Sequence, residues 1–459
     1  MKIIIIGNGK IGSLLVQGLS KEGHDIVVVD NDPDKLYHTQ EKMDVAIVAG
    51  NGASIEVLRE AGVKDCGLLL AVTNSDEVNL LTALLAGKLG CPRTVARVRN
   101  PEYDREMNLL KTGFGLTRSI NPAKTSAREI FRLLQFPSFL TRTSFAQSRA
   151  EMVEYIIPKG SELVGKRLDQ VAAIIDRKAL ICTVERGEEV FVPSGATELQ
   201  ENDKLSLSVA TSDLSLLLKK LGIRTETIRR VMIIGGSEIA VYLAMDLLEA
   251  GIDVTLLEQN KDRCEVLKDR MPELDVRTAD GSLQSQLEEE GIADVDAVVP
   301  LTGIDEANIM ISLYARKIGI KKTVTKVNRM EYLNLVDQNS LDAVVNPQLT
   351  TAQEIVSYVR AASNAREGSV QTIRTIANGK VEVLSFVVPE GGDFLNVPIM
   401  KLKLKKAILI AGIVRNQNVI IPGGSDVIMR GDTIIIVADP RRMISNLADI
   451  FLENGGGNA

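Results

Sequence analysis

The chain has 459 residues, of which 45% are hydrophobic, so it is too long for one ordinary domain and can form sizeable cores. Its formal net charge of −6 argues against nucleic acid as the main partner, because no net positive field attracts phosphate backbones. No window approaches about 18 consecutive apolar residues, which excludes a membrane-spanning helix and predicts a cytoplasmic protein.

Residues 1–140 alternate short apolar runs with segments of helical period. This alternation predicts parallel βαβ units and a doubly wound, Rossmann-like sheet. The strand-like runs lie at 2–6, 25–29, 45–48, 67–72 and 94–98, and the helical segments at 11–22, 53–61, 76–89, 101–111 and 122–136.

From about residue 150 the pattern changes to short strands separated by turn signals, which predicts a small α+β module. Polar residues at 140–150 and 222–230 are predicted linkers. The remaining half of the chain repeats the plan. The α/β fold predicted here has two doubly wound parallel-sheet domains, at 1–140 and 228–365, each followed by a small α+β domain, at 141–227 and 366–459.

The repeat shows in the residues themselves. Gly7 and Gly235 are 228 residues apart, and so are Asp30 and Glu258. One residue further in offset, "AVTNSDEVN" at 71–79 matches "PLTGIDEAN". Because the offset barely changes along the chain, the sequence indicates a tandem duplication.

The first copy of the glycine-rich motif reads "GNGKIG" and directly follows an apolar run. Gly7 suits a tight turn, Gly9 lets backbone approach a pyrophosphate, and Gly12 allows close packing of helix on strand. Asp30 ends the next predicted strand, 18 residues after Gly12, where an acid binds ribose hydroxyls and repels a 2′-phosphate. The motif therefore predicts binding of NAD(H) or an adenosine nucleotide through backbone N–H groups of Asn8, Gly9, Lys10 and Ile11.

The second copy is eroded. Ser237 replaces the glycine that permits close approach to a pyrophosphate, whereas Ala240 is tolerable at the third glycine position. Glu258 keeps an acid at the ribose position. The second half is predicted to bind a nucleotide less tightly, and a purely structural remnant is the alternative.

Polar residues also follow the later strands of each predicted sheet. Thr73 with Asn74, and Thr302, come after the fourth strand, beside the crevice where open α/β sheets bind ligands. Arg97 and Lys326 follow the fifth strand. A cation there could contact a phosphate or pair with a surface carboxylate, and the sequence leaves both open.

Asn51 and Asp280 each precede a glycine after the third strand. Capping of the following helix is the default interpretation, and contact with an adenine edge is the alternative.

Residues for catalysis are hard to find in this sequence. His24 and His38 are its only histidines, and both are predicted to be solvated surface residues. Four cysteines, Cys66, Cys91, Cys182 and Cys264, lack metal-binding spacing and are predicted to be reduced and buried. We therefore expect neither a catalytic nor a metal site. An NAD-dependent oxidoreductase, with a lysine or tyrosine as its acid, remains the rival function.

"GNGKIG" with Asp30, "VTNSDEVN", "NPAKTSAREI" and the closing "IPGGSDVIMRGD" together resemble the TrkA family. These are cytosolic regulatory subunits of Trk potassium uptake systems, built from two tandem RCK units. The resemblance covers about 1–136, 151–222, 228–363 and 370–452. The first small module departs from the family pattern, with Asn202 where a glycine commonly precedes the aspartate of Asp203.

The resemblance implies regulation rather than catalysis. Members assemble into a ring, expected to be a homotetramer, on the cytoplasmic face of a TrkH-type membrane subunit, and respond to NAD(H) or to ATP and ADP. A cyclic-dinucleotide sensor using the small modules is a further alternative. The implied ligand positions are Gly7, Asn8, Gly9, Lys10, Ile11, Gly12, Asp30, Asn51, Thr73, Asn74 and Arg97 in the first unit, and Gly235, Gly236, Ser237, Glu238, Ile239, Glu258, Asp280, Thr302 and Lys326 in the second.

Overall fold

The computed structural model forms two compact units, Met1–Pro137 with Glu226–Val359, and Ser138–Thr225 with Arg360–Ala459. No helix in the described part of the chain is long and apolar enough to cross a membrane. The structure describes the whole chain except residues 108–115, 136–141, 146–148, 176–178, 188, 222–227, 330, 333–340, 364–369, 377–379, 417, 440–443, 445 and 453–459.

The first half of the first unit is a six-stranded parallel sheet with helices on both faces. Its strands are β1 (Lys2–Ile6), β2 (Asp25–Asp30), β3 (Ala46–Ala49), β4 (Leu68–Ala71), β5 (Thr94–Arg97) and β6 (Arg118–Ile120), in the spatial order β3-β2-β1-β4-β5-β6. Its described helices are α1 (Lys10–Ser20), α2 (Pro33–Gln40), α3 (Ile55–Glu60), α4 (Asp76–Lys88), α5 (Pro101–Arg105) and α6 (Pro122–Gln135).

The first small module is an antiparallel sheet in the second unit. Its strands are β7 (Arg142–Phe145), β8 (Ala150–Ile156), β9 (Ala179–Arg186), β10 (Glu189–Phe191) and β11 (Lys204–Ala210), in the order β10-β9-β11-β8-β7, with helices α7 (Leu168–Ile174) and α8 (Leu214–Lys220). The linker predicted at 140–150 was wrong where β7 pairs with β8. The linker predicted at 222–230 lies mostly outside the described residues.

The third quarter of the chain repeats the parallel sheet. Its strands are β12 (Arg230–Ile234), β13 (Asp253–Glu258), β14 (Asp275–Thr278), β15 (Ala297–Pro300), β16 (Lys322–Lys326) and β17 (Ala343–Val345), in the order β14-β13-β12-β15-β16-β17. The described helices are α9 (Glu238–Glu249), α10 (Lys261–Arg270), α11 (Gln284–Glu289), α12 (Asp305–Lys317) and α13 (Pro347–Ser363).

The second small module completes the repeat. Its strands are β18 (Val370–Ile376), β19 (Val381–Val387), β20 (Ile408–Arg415), β21 (Asn418–Ile420) and β22 (Thr433–Ala438), in the order β18-β19-β22-β20-β21. The structure thus confirms the predicted fold class. The four domain boundaries stay a prediction.

The two parallel sheets exchange their last helices. Ala127, Ile130 and Leu134 of α6 pack into the core of the second sheet, beside Val231 and Ile233. In return, Ala352, Ile355 and Val359 of α13 pack into the core of the first sheet. Each Rossmann-like core is therefore completed by a helix from the other half of the chain.

The closing turn of each small module is built on a buried aspartate. Asp203 accepts two hydrogen bonds from Arg186 and one from the backbone N–H of Gln200, and Asp432 does the same with Arg415 and Met429. Gly431 has φ +77° before Asp432, and Asn202 has φ +67° before Asp203. Asparagine tolerates this left-handed conformation better than most residues, so the first module keeps the turn without the glycine.

Candidate nucleotide-binding sites

The strand order of each parallel sheet reverses between its first and fourth strands, β1 and β4 or β12 and β15. At that point the connections leave toward opposite faces, which opens a crevice at the carboxyl ends of the strands. The glycine-rich turns after β1 and β12 both lie at this crevice.

The first glycine of each motif is required by backbone geometry. Gly7 has φ +101° and Gly235 has φ +100°, values that side-chain-bearing residues rarely adopt. A Cβ on Gly7 would also lie 2.9 Å from the backbone nitrogen of Thr73. This glycine therefore allows the first turn to pass close to the end of β4.

The third glycine serves close packing in the first copy. A Cβ on Gly12 would lie only 1.9 Å from the carbonyl oxygen of Gly7, so the start of α1 lies directly against the turn. The second copy has Ala240 at this position, fully buried. The alanine predicted to be tolerable is therefore accommodated within the core.

The middle position differs between the copies. Gly9 is the N-cap of α1 without any side-chain cap, and a Cβ there would meet no atom within 4 Å. Ser237 is the N-cap of α9, and its hydroxyl accepts a hydrogen bond from the backbone N–H of Ala240. The serine hydroxyl thus satisfies a helix donor that is free of such a cap in the first copy.

The acidic residues at the ends of β2 and β13 stabilise the glycine-rich turns. Asp30 accepts hydrogen bonds from the backbone N–H groups of Asn8, at 2.5 Å, and Asp32. Glu258 accepts from those of Gly236, at 2.7 Å, and Asn260. Each carboxylate has about four acceptor positions, so these bonds leave capacity for ribose hydroxyls.

Two residues that the sequence analysis missed tie the crevice together. Asn79 is fully buried, accepts hydrogen bonds from the backbone and hydroxyl of Thr73, and donates to the carbonyl oxygens of Thr73 and Arg97. Asn308 makes the corresponding contacts with Thr302 and Lys326. The signal was present, because both asparagines end the repeated stretches "VTNSDEVN" and "LTGIDEAN".

Arg97 and Lys326 are buried cations at the crevice. Arg97 donates to the carbonyl oxygen of Thr73 and to Asn74, and its Nε is buried without a hydrogen-bond partner. Lys326 is 8% exposed and donates to the carbonyl oxygen of Thr302 at 2.7 Å. Burial lowers the pKa of both side chains. Neither forms an ion pair among the described residues, so the surface-pairing alternative is not what the structure contains.

The helix N-termini carry opposite charges. Lys10 is exposed at the start of α1, whereas Glu238 begins α9 and is held by Arg263 at 2.8 Å and Arg270 at 3.1 Å. Arg263 also donates to the carbonyl oxygen of Gly236. A carboxylate at this helix N-terminus competes with an incoming phosphate for the same backbone donors.

Ile11 and Ile239 contribute no polar side chain to the crevice. Ile11 is buried in the core of the first sheet, and Ile239 packs against the core of the second. Only their backbone N–H groups could contact a phosphate.

Asn51 and Asp280 form local turns. The Asn51 side chain accepts a hydrogen bond from the backbone N–H of Ala53, and Asp280 accepts from the backbone and hydroxyl of Ser282. The N-caps of the next helices are Ser54 and Leu283. The capping interpretation was therefore wrong, because a turn separates these residues from the helix starts.

Two doubly wound sheets, each with a glycine-rich turn, an acid at the end of the second strand and a buried cation after the fifth, define a protein with two dinucleotide-type crevices. The TrkA-N domain model matches residues 3–122 and 231–347, and the TrkA-C domain model matches 152–222 and 383–451. The chain belongs to the TrkA family.

Curated relatives and solved structures agree with this assignment. The chain is 32% identical to the Trk system potassium uptake protein TrkA of Haemophilus influenzae, over 98% of each chain, and 32% identical to that of Vibrio alginolyticus, also over 98% of each. The structure called "GsuK channel bound to NAD" has a TM-score of 0.60 at 19% identity, covering 96% of this chain and 77% of the other. The GsuK RCK domain structure has a TM-score of 0.59 and covers 96% and 92%.

Proposed function

We propose that this protein is a cytosolic nucleotide-sensing regulatory subunit of a Trk-type potassium uptake system. The observation that carries the proposal is the pair of buried cations, Arg97 and Lys326, which lack carboxylate partners at the dinucleotide-type crevices. A buried cation is costly unless it is compensated, and an anionic ligand supplies that compensation. The curated relatives named as Trk potassium uptake proteins support the physiological setting.

The proposed ligand is NAD(H), with ATP or ADP as further candidates. One solved neighbour is described as bound to NAD, which supports this choice. In the first crevice the pyrophosphate would lie against the backbone N–H groups at the start of α1, and the ribose hydroxyls against Asp30. The proposed binding residues are Gly7, Asn8, Gly9, Lys10, Ile11, Gly12, Asp30, Asn51, Thr73, Asn74 and Arg97, and, in the second copy, Gly235, Gly236, Ser237, Glu238, Ile239, Glu258, Asp280, Thr302 and Lys326.

Asp30 gives the proposal a cofactor preference that can be measured. Its carboxylate lies between the N–H groups of Asn8 and Asp32, so a 2′-phosphate placed there would meet a fixed negative charge. We expect NADPH to bind the first site at least about tenfold more weakly than NADH, roughly 1.4 kcal/mol. Calorimetry with both ligands checks this, and equal affinities would contradict the role given to Asp30.

Regulation in this proposal needs binding and no catalytic side chain. A nucleotide that binds two conformations with different affinity shifts their equilibrium by that difference. We propose that the chain acts as a homotetramer, attached to the inner face of the cell membrane through a TrkH-type subunit and without a nucleic-acid partner. The four-domain division at residues 140, 227 and 365 belongs to the same proposal.

The experiment is potassium flux in liposomes that contain a TrkH-type subunit, with the full chain added in the presence of NADH, ATP or no nucleotide. We expect the flux to depend on both the chain and the nucleotide. The double variant Arg97→Gln with Lys326→Gln should lose the nucleotide dependence, whereas Lys88→Gln, on the last turn of α4, should keep it. Flux that ignores the chain under every nucleotide, or steady turnover of NADH, would contradict the proposal.

A further inference from the structure

The fold brings together two cysteines that are 25 positions apart in the sequence. The Sγ atoms of Cys66 and Cys91 lie 2.8 Å apart. Cys66 comes just before β4 and Cys91 just before β5, and these two strands are neighbours in the first sheet. The pair therefore lies at the amino ends of the strands, on the edge opposite the candidate nucleotide site.

The distance is close to what a covalent bond requires. A disulfide bond is about 2.05 Å long, so the two sulfur atoms need to approach by less than about 1 Å. Both side chains are buried, at 3% and 4% exposure. The residues beside them, Asp65 and Pro92, are exposed, so the thiols lie directly beneath the surface, within reach of a small oxidant.

Packing does not account for this pair. At the matching positions, 229 residues later, the second copy has Val295 and Ile320. Both of these side chains join the apolar cluster on the corresponding face of the second sheet. The fold is thus satisfied by two aliphatic side chains here, and the two thiols are a property of the first copy alone.

The contacts also make the two sulfur atoms chemically different. Cys66 donates a hydrogen bond to the sulfur of Cys91, which lowers the pKa of Cys91 and raises that of Cys66. The thiolate is the nucleophile in thiol oxidation. Cys91 is therefore the attacking residue, and Cys66 is the thiol that resolves its oxidised form.

We propose that Cys66 and Cys91 form a reversible disulfide that fastens β4 to β5 when the protein meets a peroxide. The Cys91 thiolate attacks one peroxide oxygen, the O–O bond breaks, and a sulfenic acid forms as the other oxygen leaves as water. The Cys66 sulfur then attacks the sulfenic sulfur, an S–S bond replaces the S–O bond, and a second water leaves with the Cys66 proton. Two electrons pass from the thiols to the peroxide, and a dithiol returns them.

A metal site is a poorer explanation of the pair. Among the described residues no group of three His, Cys, Asp or Glu side chains is arranged to hold an ion. Two sulfur atoms at 2.8 Å are also too close for a metal between them, since Zn–S bonds are about 2.3 Å and diverge tetrahedrally.

The test uses the reduced full-length chain in its native state. It is treated with hydrogen peroxide, then denatured, blocked with N-ethylmaleimide and digested with trypsin without reductant. We expect the main cross-linked product to join peptides 65–88 and 89–93, lighter by two hydrogen atoms than the two peptides together, and to disappear with dithiothreitol. Cys182 and Cys264 should be recovered alkylated.

The matched control is Cys66→Val with Cys91→Ile, which installs the residues of the second copy. Oxidised wild-type protein should melt at a higher temperature than reduced protein, because the bond closes a loop in the unfolded chain, and the control should melt alike in both conditions. Separate alkylated Cys66 and Cys91 peptides from native protein, links mainly to Cys182 or Cys264, or a linked chain with an unchanged melting temperature would overturn the proposal.

Discussion

At the scale of single residues, the two glycine-rich turns separate backbone requirements from packing requirements. Gly7 and Gly235 adopt nearly the same positive φ, so the first position is fixed by the turn itself. Gly12 and Ala240 differ, although both are buried at the start of a helix. The third position therefore depends on how closely each helix approaches its turn.

This difference predicts the effect of one methyl group. Gly12→Ala should destabilise the first parallel-sheet domain by about 1–3 kcal/mol, the range for overpacking, because its Cβ would lie 1.9 Å from the Gly7 carbonyl oxygen. Gly18→Ala in the same helix is the control, since its Cβ would lie 3.4 Å from Val356. Urea unfolding of both variants checks this, and equal midpoints would contradict the close contact.

Lys326 predicts a pH dependence of the second site. Burial lowers its pKa, so as pH rises its ammonium group loses its proton earlier than an ordinary lysine, and its attraction for phosphate is lost with it. The affinity of the weaker NADH step should therefore fall as pH rises toward the ordinary lysine range. Lys326→Arg stays charged and should bind with nearly constant affinity over the same range, as measured by calorimetry. A parent protein that is equally insensitive to pH would contradict the role of Lys326.

At the scale of elements, the most consequential contact is the exchange of α6 and α13 between the two parallel sheets. Glu354 of α13 accepts hydrogen bonds from Arg118 of β6, at 2.8 Å, and from Thr125 of α6, at 2.6 Å. These contacts join the two halves of the duplication within the first unit.

The exchange predicts a measurable coupling. In a double-mutant cycle of Arg118→Gln and Glu354→Gln, we expect a coupling free energy of about 0.5 kcal/mol, since both side chains are half-exposed. The cycle also removes the separate contact of Arg118 with the Tyr358 ring. Urea unfolding of the four proteins supplies the values. Strict additivity would mean that this ion pair does not help hold the exchanged helices.

Sequence periodicity predicted the parallel sheets well because their strands are buried on both faces. Residues 3–6 form a continuous apolar run that is at most 1% exposed. It missed α2, whose residues are mostly polar, so that little helical pattern is visible, although Asp32 caps the helix and Pro33 begins it. It also missed β6, which is three residues long.

Other features could not have been read from the sequence by local reasoning. The helical pattern of 122–136 predicts an amphipathic helix, but not that its apolar face covers the sheet of the other half. Likewise, the acids and glycines of the sites were predicted from a motif, whereas Asn79 and Asn308 act through contacts with backbone of neighbouring strands. Long-range packing and backbone satisfaction carry no fixed spacing.

At the scale of the whole molecule, the duplication has produced two crevices with the same frame and different charge. The first offers Gly9 without a side chain and Lys10 in solvent, whereas the second has Ser237 capping its helix and Glu238 held by two arginines. Both differences disfavour a pyrophosphate in the second crevice. A single chain thus carries a strong and a weak site, and the ligand concentration sets which is filled.

The most direct test of this account is a two-site calorimetric titration of the intact chain with NADH, beside Gly9→Ser and Ser237→Gly. We predict two unequal steps, with Gly9→Ser weakening the tighter step by about 1–3 kcal/mol, roughly tenfold to a hundredfold. Ser237→Gly should tighten the weaker step and leave the tighter one unchanged. Equal affinities in the parent protein, no heat of binding, or a tighter step that does not respond to Gly9→Ser would contradict the account.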